Sequence, residues 1–167
     1  HPYLYHLTSS APVPFSGGVL RGANQEVFPI LTGQFGSVYY AILKPNAIRN
    51  PHWHPIAWEF NYVISGRVRW TIVGPQNKHD SFEAKTGDLV FIPQGYFHYF
   101  ENIDDKYDLV LLAIFNTSVI EPIDDISLGG TLGYLPLHVF AAIFSKNEDL
   151  FRNLFTNGTL DSFVPER

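Results

Sequence analysis

The strongest constraint on this chain is a train of short segments rich in Val, Ile, Tyr, Phe and Trp, each stopped by Gly, Pro, Asn or Asp, between about residues 36 and 115. The segments are Ser37 to Leu43, Phe60 to Ile64, Val68 to Val73, Leu89 to Ile92 and Asp108 to Phe115. Branched and aromatic side chains fit a pleated, half-buried surface, so these runs read as strands. Ser65-Gly66 separates two of them as a tight hairpin would, and Gly74-Pro75-Gln76-Asn77 marks a second turn. Many short strands with regular turns give an all-β sandwich or barrel.

The flanks differ from this middle. Prolines at positions 2, 12 and 14 and the lack of periodicity make the first fifteen residues an extended arm lying over the barrel or over a neighbouring subunit. Beyond residue 130, Pro136 can open a helix over Leu137 to Phe144. Ser145, with Glu148 three residues later, fits a capping box for a second helix running to about Leu154. The expectation is one domain over residues 1–167, with the arm and first strands in 1–35, the barrel in 36–120 and two short helices in 132–156.

Composition narrows the partners. The 167 residues carry a formal charge of −5 with Lys and Arg scattered, which leaves no footprint for a phosphate backbone, so nucleic acid is not expected. No apolar run approaches the length of a membrane helix, so no membrane partner is expected. The chain has no Cys, which rules out a disulfide framework and a thiolate metal site. No Met occurs, so His1 reads either as a mature terminus left by a cleaved signal peptide or as a cut edge. Together with the sequons at Asn116 and Asn157, this favours an extracellular location over a cytoplasmic one.

One constellation carries chemistry. In Pro51-His52-Trp53-His54 the histidines stand at i and i+2, which on a strand puts both imidazoles on one face and Trp53 on the other. Glu59 follows five residues later at the head of a strand, and His98 lies just past Gly95, which permits a turn back toward the barrel. Three imidazoles and one carboxylate suit Mn, Fe, Ni, Cu or Zn and leave up to two positions open on an octahedral ion. Asn61 shares the inward face with Glu59 and is placed to orient that carboxylate or to contact a ligand. His1, His6, His79 and His138 have no partner at ligand spacing and read as ordinary polar residues.

His52-x-His54 with Glu59 and Gly66, then Gly87, Pro93, Gly95, His98 and Asn102, resembles the two conserved motifs of the cupin superfamily. One departure is Asn46, where those proteins usually have glycine; Asn is the residue that best replaces Gly in a left-handed turn. From about Ser16 to Phe144 the chain resembles the oxalate decarboxylases, and it also resembles the germins, which include plant oxalate oxidase. That resemblance implies a monocupin: a jelly-roll barrel, or double-stranded β-helix, with one divalent metal per chain, Mn first, held by His52, His54, Glu59 and His98. It further implies a homo-oligomer, a trimer or hexamer, whose helices bury an apolar face against another subunit. A small carboxylate substrate would be anchored by Arg49. Glu121 is the nearest acid to the proton donor of the decarboxylases, though Val119 to Ile123 does not resemble their Ser-rich lid. The competing expectations are a non-catalytic metal-binding or storage cupin, like spherulin, and a quercetinase-type dioxygenase.

Overall fold

The computed structural model describes residues 1–120, 125–152 and 163–165. Its strands form two antiparallel sheets. The first has the order β1 (Val13–Phe15), β2 (Gly18–Ala23), β3 (Ser37–Leu43), β10 (Leu109–Phe115), β5 (Glu59–Ser65), β8 (Leu89–Ile92). The second has the order β11 (Ile126–Ser127), β4 (Ala47–Trp53), β9 (Phe97–Asn102), β6 (Arg67–Val73), β7 (His79–Lys85), and β12 (Phe163–Pro165) also pairs with β4. Consecutive strands from β3 to β6 alternate between the sheets, as in a jelly roll, so the two inner faces enclose one core.

That core follows from side-chain alternation. Along β10 the odd-numbered Leu109, Leu111, Ala113 and Phe115 are buried, while the intervening residues are only half-buried. Beside them on the same sheet Leu43, Val63 and Ile92, and on the facing sheet Val68 and Trp70, are almost wholly inaccessible. Complete burial of side chains of this size contributes about 1.5–3 kcal/mol each.

The two outer faces differ sharply. The second sheet carries an exposed ladder in which Arg67 and Arg69 pair with Glu83 at 3.0 and 3.1 Å, and Arg69 reaches Glu101 at 3.4 Å. The first sheet carries two cross-strand apolar rows, Tyr40–Leu112–Tyr62–Leu89 and Val38–Ile114–Phe60–Phe91. Tyr62, Leu89 and Phe91 are 42%, 59% and 45% exposed.

The predicted strand runs agree with β3, β5, β6, β8 and β10 to within one residue at each end. Strand β7 escaped the hydrophobic pattern because its sequence is polar and only Ala84 in it is buried. The arm is more structured than expected, since Val13–Phe15 forms a hairpin with β2 and the Tyr5 hydroxyl donates to the Gly22 carbonyl at 3.1 Å.

At the C-terminal side, helix α2 (Leu137–Phe144) has the predicted limits and follows Pro136. The expected second helix from Ser145 does not form. Ser145 instead ends α2 in the left-handed region at φ 52°, and Asn147, whose side chain accepts from the Asp149 N–H, caps only a three-residue 3-10 turn at Glu148–Leu150. Residues 153 and 154 lie outside the described residues. A short helix, α1 (Leu128–Gly133), went unpredicted because three glycines mask it; the Ser127 hydroxyl caps it by accepting from the Gly130 N–H.

Asn46 stands at φ 57° in the turn between β3 and β4, and Gly66 at φ 99° in the β5–β6 hairpin. An L residue with a branched side chain is strained at Asn46, whereas glycine is not. Asn46→Val should therefore cost about 1–2 kcal/mol in urea denaturation, with Asn46→Gly within a few tenths of wild type. Equal effects of the two substitutions would show that this backbone is not held in the left-handed region.

Candidate metal centre

Strand pairing builds the centre. Strands β4 and β9 run antiparallel with His52 directly opposite His98, and their ring centroids are 4.2 Å apart. His54 lies one residue past the end of β4, and its carbonyl accepts the Gly95 N–H at 2.9 Å, tying the two motif loops together. Glu59 opens β5 on the facing sheet. All four side chains are buried, and one donor atom from each lies within 4.8 Å of the others.

The hydrogen bonds fix what these groups present. A carbonyl only accepts, so the contacts of His52 Nδ1 to the Asn50 carbonyl (2.7 Å) and of His98 Nδ1 to the Tyr96 carbonyl (2.9 Å) place a proton on each Nδ1. In the neutral rings the Nε2 lone pairs then face inward. His52 Nε2 lies 3.1 Å from His54 Nε2, while Glu59 Oε2 lies 2.9 Å from His98 Nε2 and 3.4 Å from His54 Nε2. Acceptors this close repel one another in a dry interior unless a cation sits among them, so the donor set fits a divalent transition metal. Asn61 Nδ2 donates to Glu59 Oε1 at 2.9 Å and sets the plane of that carboxylate.

Burial above all, then the Arg49 charge and the neighbouring imidazoles, hold His52 well below the ordinary histidine value of 6.5. For Glu59 burial opposes ionisation, but the hydrogen bonds and positive charge that His54 and His98 supply when protonated, as they can be without metal, outweigh it and hold the carboxyl well below its usual range.

Arg49 and His52 are three residues apart, yet both face inward, because the β4–β9 register shifts between them. Arg49 is 5% exposed and pairs through Nη2 with Asp125 Oδ2 at 2.5 Å, with its guanidinium 5.9 Å from the Phe163 ring centroid. Asp125 was missed at the sequence level, since nothing in its local pattern marks it as a partner of a residue 76 positions away. Glu121 lies outside the described residues. Among the described residues, His1, His6, His79 and His138 join no ligand cluster.

An antiparallel double-sheet barrel with three inward histidines and one inward carboxylate defines a class of metal-binding β-barrel proteins. The family model described as Cupin matches residues 6–148, and the chain belongs to the cupin family. It is 32% identical over 136 residues to an oxalate decarboxylase of Bacillus subtilis, covering 81% of this chain and 34% of that protein. An oxalate decarboxylase of Arthroderma benhamiae is 31% identical over 156 residues, covering 91% of this chain and 35% of its own length. A germin-like protein of Arabidopsis thaliana, subfamily 2 member 2, is 29% identical over 143 residues, covering 86% and 60%. The chain thus spans about a third of the length of these oxalate decarboxylases. Among solved structures, Bacillus subtilis oxalate decarboxylase at pH 4.6 superposes with a TM-score of 0.87 at 24% identity, over 98% of this chain and 41% of that one.

Glu59→Ala should strip most of the bound metal while leaving the fold, read by elemental analysis and circular dichroism; full metal retention would rule out the four-ligand set. The pH dependence of the metal-free protein follows from the two depressed values. The unfolded chain binds protons more readily at both groups, so stability is greatest above about pH 6.5. It falls as the pH drops below the ordinary value of His52, and further below 4.5 for Glu59. His52 alone should give a slope approaching 1.4 kcal/mol per pH unit. A melting temperature that stays flat from pH 7 to pH 5 would contradict this.

Proposed function

We propose that this chain is a metal-dependent cupin acting on a small carboxylate, in the manner of oxalate decarboxylase or oxalate oxidase, with Mn as the metal and dioxygen as co-reactant. The observation that carries the reading is the buried Arg49 guanidinium lining the same small cavity as the ligand Glu59. A guanidinium binds a carboxylate through paired, charge-assisted hydrogen bonds. A metal held by His52, His54, Glu59 and His98 would supply Lewis-acid and one-electron chemistry there. Arg49 holds the substrate end, Asn61 keeps Glu59 in its ligating plane, and apolar walls including Phe115 exclude water. Glu121 is assigned the proton that decides between formate and peroxide.

The space argues against a bulky aromatic substrate. The cavity leaves about 20 Å³ for the centres of water molecules among the described residues, against the several hundred Å³ that larger ligands need. A second reading, a metal-binding cupin without catalysis, draws support from Asp125, whose carboxylate already engages Arg49.

The proposal extends to self-association and to an extracellular site of action. The two apolar rows on the first sheet carry no charge, unlike the Arg–Glu ladder on the second, and they suit a two-fold contact with another copy. Asn116 uses its side-chain oxygen to accept the Trp58 N–H at 2.8 Å, and Asn157 lies outside the described residues. Secretion is therefore tested directly, by following the full-length protein in its host.

Purified protein should contain stoichiometric Mn and convert oxalate to formate or to peroxide, and Arg49→Ala should lower kcat/KM for oxalate by at least about 100-fold. Bound metal with neither product would select the non-catalytic reading. Glu121→Gln should abolish formate while oxalate still binds; undiminished formate would remove Glu121 from the proton step. Leu89→Glu combined with Phe91→Glu should convert an oligomer to a smaller species in light scattering, and an unchanged mass would place any interface elsewhere.

A further inference from the structure

A second cavity lies under the N-terminal arm. It leaves about 250 Å³ for the centres of water-sized molecules, against about 20 Å³ beside the metal centre. Tyr5, Pro12 and Val13 line it from the arm, Leu20 and Tyr39 from β2 and β3, and Ile120 from the segment after β10. Its walls are chiefly apolar, and none of the described residues that line it is charged. The arm is fastened over it at several points. The Tyr5 hydroxyl donates to the Gly22 carbonyl at 3.1 Å, and the Tyr5 ring stacks on Phe28 with centroids 5.3 Å apart. The Arg21 guanidinium donates to the Ser10 carbonyl, and Val13 stands opposite Leu20 in the β1–β2 hairpin. The chamber is thus a built part of the fold. A carboxylate entering it would lose its hydration without gaining a partner, whereas a small apolar molecule is favoured there over water.

Leu20 and Tyr39 also line the cavity beside the metal centre, so these two side chains are the partition between the two spaces. The strand register leaves the Tyr39 ring room on both flanks. Gly22, Tyr39, Ala113 and Asn61 stand directly opposite one another on β2, β3, β10 and β5. The ring lies over Gly22, where a Cβ would come within 2.5 Å of it, and its other flank meets a residue with no more than a methyl, Ala113. A ring set between a glycine and an alanine can tilt without displacing backbone. We propose that the chamber under the arm takes up dioxygen from water and passes it to the metal cavity between Leu20 and Tyr39. This rests on the reading above in which dioxygen is the co-reactant, and it names the site and route by which that molecule arrives. The space of about 20 Å³ beside the metal centre, one or two waters in size, accepts a diatomic molecule.

The test uses xenon as the apolar probe, located in crystals of the protein held under xenon pressure, together with product formation from oxalate at varied dissolved dioxygen. Wild type should hold xenon in the chamber against Leu20 and Tyr39. Val13→Trp fills the chamber from a half-exposed position on the arm. It should exclude xenon and raise the KM for dioxygen roughly tenfold, with the KM for oxalate unchanged. If that variant does not fold, Ala11→Phe narrows the same chamber from an exposed position, and the same split is expected. A wild-type chamber without xenon would overturn the proposal. So would loss of xenon in the variants at an unchanged KM for dioxygen, which would make the chamber a side space off the route. A parallel rise in both KM values would overturn it as well, by showing that the substitution deforms the metal cavity. A wild-type rate independent of dioxygen would overturn the co-reactant reading, and this inference with it.

Discussion

The centre of this protein depends on one unfavourable arrangement: imidazole nitrogens and a carboxylate oxygen packed within hydrogen-bond distance of one another, in a place water does not reach. Alone, such a cluster of acceptors would be expelled or protonated. Three of its four groups are fixed from behind, His52 and His98 by backbone carbonyls and Glu59 by the Asn61 amide. The sheets that carry these groups are anchored in the core by Trp70, Leu109 and Leu111, all fully buried. A divalent cation removes the repulsion, and so stabilises the fold that prepared its site.

The same barrel sets a second tension at Arg49. A buried guanidinium needs an anion, and Asp125 provides one at 2.5 Å. Any substrate carboxylate would have to share the guanidinium with that internal acid or replace it.

The surface shows a division of labour between the sheets. The Arg–Glu ladder on the second sheet is exposed and contributes little to stability, but keeps that face solvated. The first sheet has strands apolar on both faces, β10 most completely, and such strands ordinarily lie between two layers. One layer is the core; the other is the surface on which self-association is proposed.

Much of this was legible in the sequence because strand alternation and turn chemistry are local. The period of two located five strands and put His52 and His54 on a common face, the need for a left-handed residue explained Asn46, and Pro136 marked the start of α2. Strand β7 and helix α1 were hidden because a polar edge strand and a glycine-rich turn of helix carry little hydrophobic signal. The second helix was misread at Ser145, where two capping residues competed and Asn147 prevailed. The tertiary structure alone decided that a register shift in β4 turns Arg49 inward, that Asp125 meets it from 76 residues away, and that the Asn61 amide donates to Glu59. Sequence spacing fixes which residues can share a face; what they meet there depends on strands that come together only when the barrel closes.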